Sequence, residues 1–139
     1  MIGALLAVAI ASGNSIPSAV QQAGPYIARI AHVKSFPHGA IPWPLADPGA
    51  PFNDSDVRSP GLPDRGLILG GCSADVCVLH FEIGGIISPY CILALRHDND
   101  TWRAVWYARL PRALQSFEEL QALLEGGSPI NLTDMSWCR

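Results

Sequence analysis

Three segments with a two-residue period, set close together in the second half of the chain and separated only by short breaks, constrain the fold most. In Val76 to Ile83, residues Cys77, Leu79, Phe81 and Ile83 fall on one side of an extended backbone, and Val76, Val78, His80 and Glu82 on the other. Gly84-Gly85 ends that segment and Tyr90 to Arg96 follows. Thr101 to Arg109 comes next, after the turn-forming tetrapeptide His97-Asp98-Asn99-Asp100. Breaks this short suit hairpins and exclude the crossover helix that a parallel pair requires. An antiparallel meander is expected, with Gly66-Leu67-Ile68-Leu69 beginning a further strand. In the last segment the alternation puts Trp102, Ala104, Trp106 and Ala108 together as the buried set, and Thr101, Arg103, Val105 and Tyr107 on the opposite face.

Pro111 closes the sheet region, and Ser116-Phe117-Glu118-Glu119 has the form of a capping box. Phe117, Leu120, Leu123 and Leu124 then form one apolar stripe, and Gly126-Gly127 supplies a left-handed stop. This stripe is expected to cover one face of the meander, an α+β arrangement of a sheet packed against a C-terminal helix. Upstream, Ile16 to Lys34 reads as two short N-terminal helices, the second opened by Pro25 and running to about Val33. Residues 36–66 carry seven prolines with interspersed Gly and Asp, which destroys any helical or strand period. They read as a long irregular loop pinned to the core by Ile41, Trp43, Leu45 and Phe52.

Residues 1–11, Met-Ile-Gly-Ala-Leu-Leu-Ala-Val-Ala-Ile-Ala, are uniformly apolar, and Ala9-Ile10-Ala11 gives the small-x-small pattern of a signal peptide cleaved before Ser12. The run is far below the roughly 20 apolar residues of a bilayer span, so no stable membrane span is expected. It also lacks a cationic n-region, and a buried N-terminal helix is the competing reading. On the export reading, residues 12–139 form a single domain in the periplasm or outside the cell. Cys72, Cys77, Cys91 and Cys138 are then a disulfide framework whose three possible connectivities the sequence alone does not separate, with Cys72–Cys77 and Cys91–Cys138 the favoured pairing, and without export they read as buried free thiols. No Cys-x-x-Cys pair or suitably spaced His supports a zinc site, and neither a metal nor a cofactor is expected.

The formal charge of −3, with nine Lys plus Arg against twelve Asp plus Glu, provides no electrostatic footprint for nucleic acid. Asp98, Asn99 and Asp100 lack the ligand order and distant Glu of a calcium loop, and read as a hairpin turn. Gly70-Gly71 and Gly84-Gly85 lack the sequel of a phosphate loop. Asn131-Leu132-Thr133 matches a glycosylation acceptor. His80 and Glu82 project from one strand face about 7 Å apart, a spacing an acid/base pair could use. No nucleophile or triad accompanies them, so no catalytic residue is assigned.

A second use of that face is a protein-binding surface of His80, Glu82, Tyr90, Arg96, Arg103 and Tyr107, because Tyr and Arg are enriched at interfaces. An ordinary amphipathic face, or one covered by the N-terminal helices, is the structural alternative. The reading adopted is a small exported binding protein, an inhibitor or immunity-type protein whose partner is a secreted hydrolase or toxin. A small hydrolase-like enzyme using His80 and Glu82, and a structural subunit of an envelope complex, are the alternatives.

Overall fold

The computed structural model describes residues 11–12 and 16–139; residues 1–10 of the expected leader lie outside them. Six strands form one sheet: β1 (Ala11–Ser12), β2 (Ala28–Arg29), β3 (Arg65–Cys72), β4 (Val76–Ile83), β5 (Tyr90–Asp98) and β6 (Thr101–Leu110). Their order across the sheet is β1-β6-β5-β4-β3-β2. From β2 to β6 every pairing is antiparallel, and β1 lies parallel to β6 with Ala11 opposite Trp106. Two helices accompany the sheet, α1 (Ser18–Ala23) and α2 (Phe117–Leu124). The architecture is α+β.

Local chemistry accounts for the elements. The β5–β6 hairpin turns on Asn99 and Asp100, with φ of 51° and 64°, the pair of left-handed residues that lets a two-residue loop match the strand twist. Ser116 caps α2 by accepting a hydrogen bond from the Glu119 N–H (3.1 Å), and the Glu119 carboxylate accepts from the Gln115 N–H (2.8 Å). At the other end Gly126 sits at φ 80°. Its N–H donates to the Leu123 carbonyl, while that of Gly127 donates to Ala122, so two orphan carbonyls are satisfied.

The second N-terminal helix expected from Pro25 does not form. Pro25 opens only a 3-10 turn, Gly24–Tyr26, after which the chain extends into β2 along the free edge of β3. The Ile30 N–H donates to the Gly70 carbonyl at 2.8 Å, and a Cβ on Gly71 would lie 2.3 Å from the Ile27 side chain. A glycine-lined sheet edge that needs hydrogen-bond partners thus overrides a weak local helix preference.

Both faces of the sheet are buried. On the first, Val78, Ile92, Ala94, Trp106 and Ala108 share a core with Val20 of α1 and Leu120, Leu123 and Leu124 of α2. On the second, Leu79, Phe81, Leu93 and Tyr107 cluster with Phe36 and Leu45 of the 36–66 segment and with Cys138. Two bulges adjust the alternation. Leu67 faces Phe81 while Leu69 faces His80, leaving Ile68 extra; Trp106 faces Ala94 while Ala104 faces Leu95, leaving Val105 extra. The expected grouping of Trp102, Ala104, Trp106 and Ala108 on one face is therefore corrected: Trp102 and Ala104 pack with the second core and Trp106 and Ala108 with the first. Two disulfides join the same pairs that the spacing favoured, Cys72–Cys77 and Cys91–Cys138. Among the described residues no helix is long and apolar enough to cross a membrane.

Candidate functional site

The six residues expected to form one binding face do not come together. His80, at the middle of β4, is fully buried. Its Nδ1 donates to the Cys91 carbonyl (2.8 Å) and its Nε2 accepts from the Leu114 N–H (2.9 Å), a pattern satisfied by the neutral ring with the proton on Nδ1. Burial pulls its pKa down to about 4, against the weaker opposing effects of the Cys91 hydrogen bond and the Glu119 charge. Tyr107 is also buried, at 8% exposure, and lies on the opposite face because the bulge at Val105 shifts every residue beyond it.

Of the remaining four, Glu82 and Tyr90 are register partners at one end of β4–β5, whereas Arg96 and Arg103 are partners at the far end, beside the β5–β6 turn. Arg103 is engaged there with Asp98 at 2.8 Å. Nor do His80 and Glu82 form an acid/base pair, since both imidazole nitrogens are occupied. Glu82 instead opens into a cleft of about 690 Å³ whose other wall is the 47–54 part of the Pro-rich segment, with Asp47, Phe52 and Asp54. Burial and the neighbouring Asp54 raise the Glu82 pKa. Among the described residues no three His, Cys, Asp or Glu side chains converge as a metal site would require.

A different surface stands out, at the tip joining β4 to β5. Gly84 and Gly85 permit the turn. A Cβ on Gly84 would lie 1.4 Å from the Asn53 carbonyl oxygen, so only glycine lets the 53–64 loop pack against the end of β4. That packing is held by the Gly84 N–H donating to the Asp64 carbonyl (2.8 Å), and Asp64 in turn binds Arg58 (2.7 Å). Arg58 is thereby stationed beside the tip. From the other side, the Cys91–Cys138 disulfide draws the C-terminal tail across the start of β5 and sets Trp137 against the same turn, where the Arg65 guanidinium donates to its carbonyl.

The result is a groove of about 260 Å³ lined by Arg58, Ile83, Ile86, Ile87, Pro89 and Trp137. Ile86 is 88% exposed, Ile87 61% and Trp137 63%, so three of the largest apolar side chains in water border one groove. Ser88, at φ 45°, closes the turn by donating to the Gly85 carbonyl (2.7 Å). Sequence reading missed this site. The available signal was an Ile-Ile pair between the breakers Gly84-Gly85 and Ser88-Pro89, in a loop where apolar residues have no core to enter.

No known protein family, no curated protein and no solved structure matches this chain.

Proposed function

We propose that this chain is an exported binding protein, periplasmic or secreted, that works by protein–protein contact as an inhibitor or immunity-type protein against a secreted hydrolase or toxin. The supporting observation is the concentration of exposed aliphatic and indole surface around the β4–β5 tip, with an arginine at its edge. Apolar patches rimmed by polar groups characterise interaction sites, and Trp and Arg carry a disproportionate share of binding energy in them. Two disulfides are compatible with an oxidising compartment. The alternative of an enzyme using His80 and Glu82 loses support from the occupation of both His80 nitrogens.

Affinity capture from extracellular medium or envelope extract tests the reading, with wild-type protein beside Ile86→Asp and Trp137→Ala. A single stoichiometric hydrolase or toxin is expected on the wild type, with at least about tenfold weaker retention by either variant, equivalent to about 1.4 kcal/mol. Thermal melting of both variants should match the wild type, because the substituted groups stand in solvent. Recovery of a large multi-subunit assembly favours the structural-subunit alternative. Equal retention of the partner by all three proteins overturns the assignment of this surface.

A further inference from the structure

The chain contains four asparagines, at positions 14, 53, 99 and 131, and two threonines, at 101 and 133. Both threonines stand two residues after an asparagine, in Asn99-Asp100-Thr101 and Asn131-Leu132-Thr133, and Asn53-Asp54-Ser55 makes a third such triplet. With thirteen Ser plus Thr in 139 residues, chance would place a hydroxyl residue at that spacing behind fewer than one of the four asparagines. Three have one, and none has proline between. This is the acceptor pattern for N-linked oligosaccharide, a bulky surface modification of exported chains.

The fold separates the three triplets. Asn53 is buried, at 6% exposure. Its Nδ2 donates both hydrogens, to the Leu62 carbonyl and to Asp64 Oδ1, each at 3.1 Å, and its Oδ1 accepts from the Ser59 N–H at 2.8 Å. A glycosylated amide retains a single hydrogen, so sugar at Asn53 would break one of these bonds and demand space inside a packed loop. Asn99 and Asn131 are exposed. Asn99 is one of the two residues at the apex of the β5–β6 hairpin. Asn131 lies in the tail just before Thr133, whose backbone is fixed to Arg109 of β6 by reciprocal hydrogen bonds of 2.8 and 3.0 Å. Asn99 and the apolar β4–β5 tip occupy opposite ends of β5, a strand of nine residues. At the usual rise this separates them by about 30 Å, so sugar at Asn99 leaves the proposed contact surface open.

We propose that Asn99 and Asn131 are N-glycosylation sites and that Asn53 is not, an inference that rests on the export reading and narrows it to a glycosylating secretory route. The transfer joins Nδ2 to the anomeric carbon of an oligosaccharide and breaks that carbon's bond to a polyprenyl pyrophosphate carrier. The carrier pyrophosphate leaves with the bonding electrons, one amide proton is released, and no oxidation state changes.

The test expresses the whole chain in a glycosylating secretory host, once with its own N-terminus and once with the same 139 residues behind the host's secretion leader. Endoglycosidase-sensitive mobility steps are then counted and the sites mapped by peptide mass. Two steps are expected, one lost in Asn99→Gln, one in Asn131→Gln, and both in the double variant. Ser55→Ala removes the third triplet while keeping the Asn53 amide in place, and should leave both steps unchanged. Secreted protein with no step behind the host leader overturns the inference, as does a step lost in Ser55→Ala. Sugar at only one exposed asparagine overturns it for the other. Two steps seen only behind the host leader uphold the acceptor sites and overturn the export reading instead.

Discussion

Both ring nitrogens of His80 are committed to backbone partners, and the arrangement works only while the ring is neutral. Its folded pKa of about 4 lies below the ordinary value of 6.5, so the unfolded chain takes up a proton first as pH falls. The stabilisation is fully present above about pH 6.5, declines below it, and is exhausted near pH 4, a loss of about 3 kcal/mol. Urea midpoints measured across that window should fall steeply for the wild type and much less for His80→Gln, whose amide can donate to Cys91 and accept from Leu114. Equal slopes in the two proteins would refute this role. Tyr107 offers a second check. Its ring is buried against the second core, so Tyr107→Ala should cost about 3 kcal/mol or more in stability, comparable with the 3–5 kcal/mol typical of removing a buried aromatic such as Trp106. A Tyr107→Ala protein that melts with the wild type would refute the burial of this ring.

At the level of elements, the strands β4 to β6 and helix α2 were legible because their signals are local: a two-residue period, a turn tetrapeptide, a capping box and a Gly-Gly stop. What could not be read was how each face is used. Val76 to Phe81 are all buried, so the alternation of β4 separates one core from another rather than core from water. A bulge leaves little trace in a single sequence. Val105 looks like any strand residue, yet the extra position it occupies sends Tyr107 to the face opposite Arg103. The binding face drawn from sequence is divided for that reason, and because His80 is buried and held by the Leu114 N–H in the segment before α2. The disulfides give a graded prediction. Cys72 and Cys77 are five residues apart and already paired across β3–β4, whereas Cys91 and Cys138 are 47 apart. Loop-closure entropy assigns about 2 kcal/mol to the first and about 4 kcal/mol to the second. Denaturant midpoints of the Cys72→Ala/Cys77→Ala and Cys91→Ala/Cys138→Ala proteins should therefore differ in that order.

For the molecule as a whole, the export reading meets the fold at one point. Cleavage before Ser12 would divide the two-residue β1 and leave Ser12 as the first residue beside Tyr107. Intact mass of protein from its native host should correspond to a chain beginning at Ser12, and retention of Met1 on intracellular material would remove the basis of the compartment assignment. A second consequence concerns time. The sheet closes through short loops from β3 to β6, which pair in sequence order, and gains β1 and β2 at its edges across much longer stretches of chain. Its two coverings join residues far apart, Val20 with Leu120 and Cys91 with Cys138. Entropy favours the short loops first. The transition state for folding should accordingly contain the β4–β5–β6 hairpins and lack α1 and the tail. In stopped-flow measurements Val78→Ala should chiefly slow refolding and Val20→Ala chiefly hasten unfolding. The middle strand is thus assembled as a ribbon with two wet faces, and the coverings that arrive last set how long the native state survives.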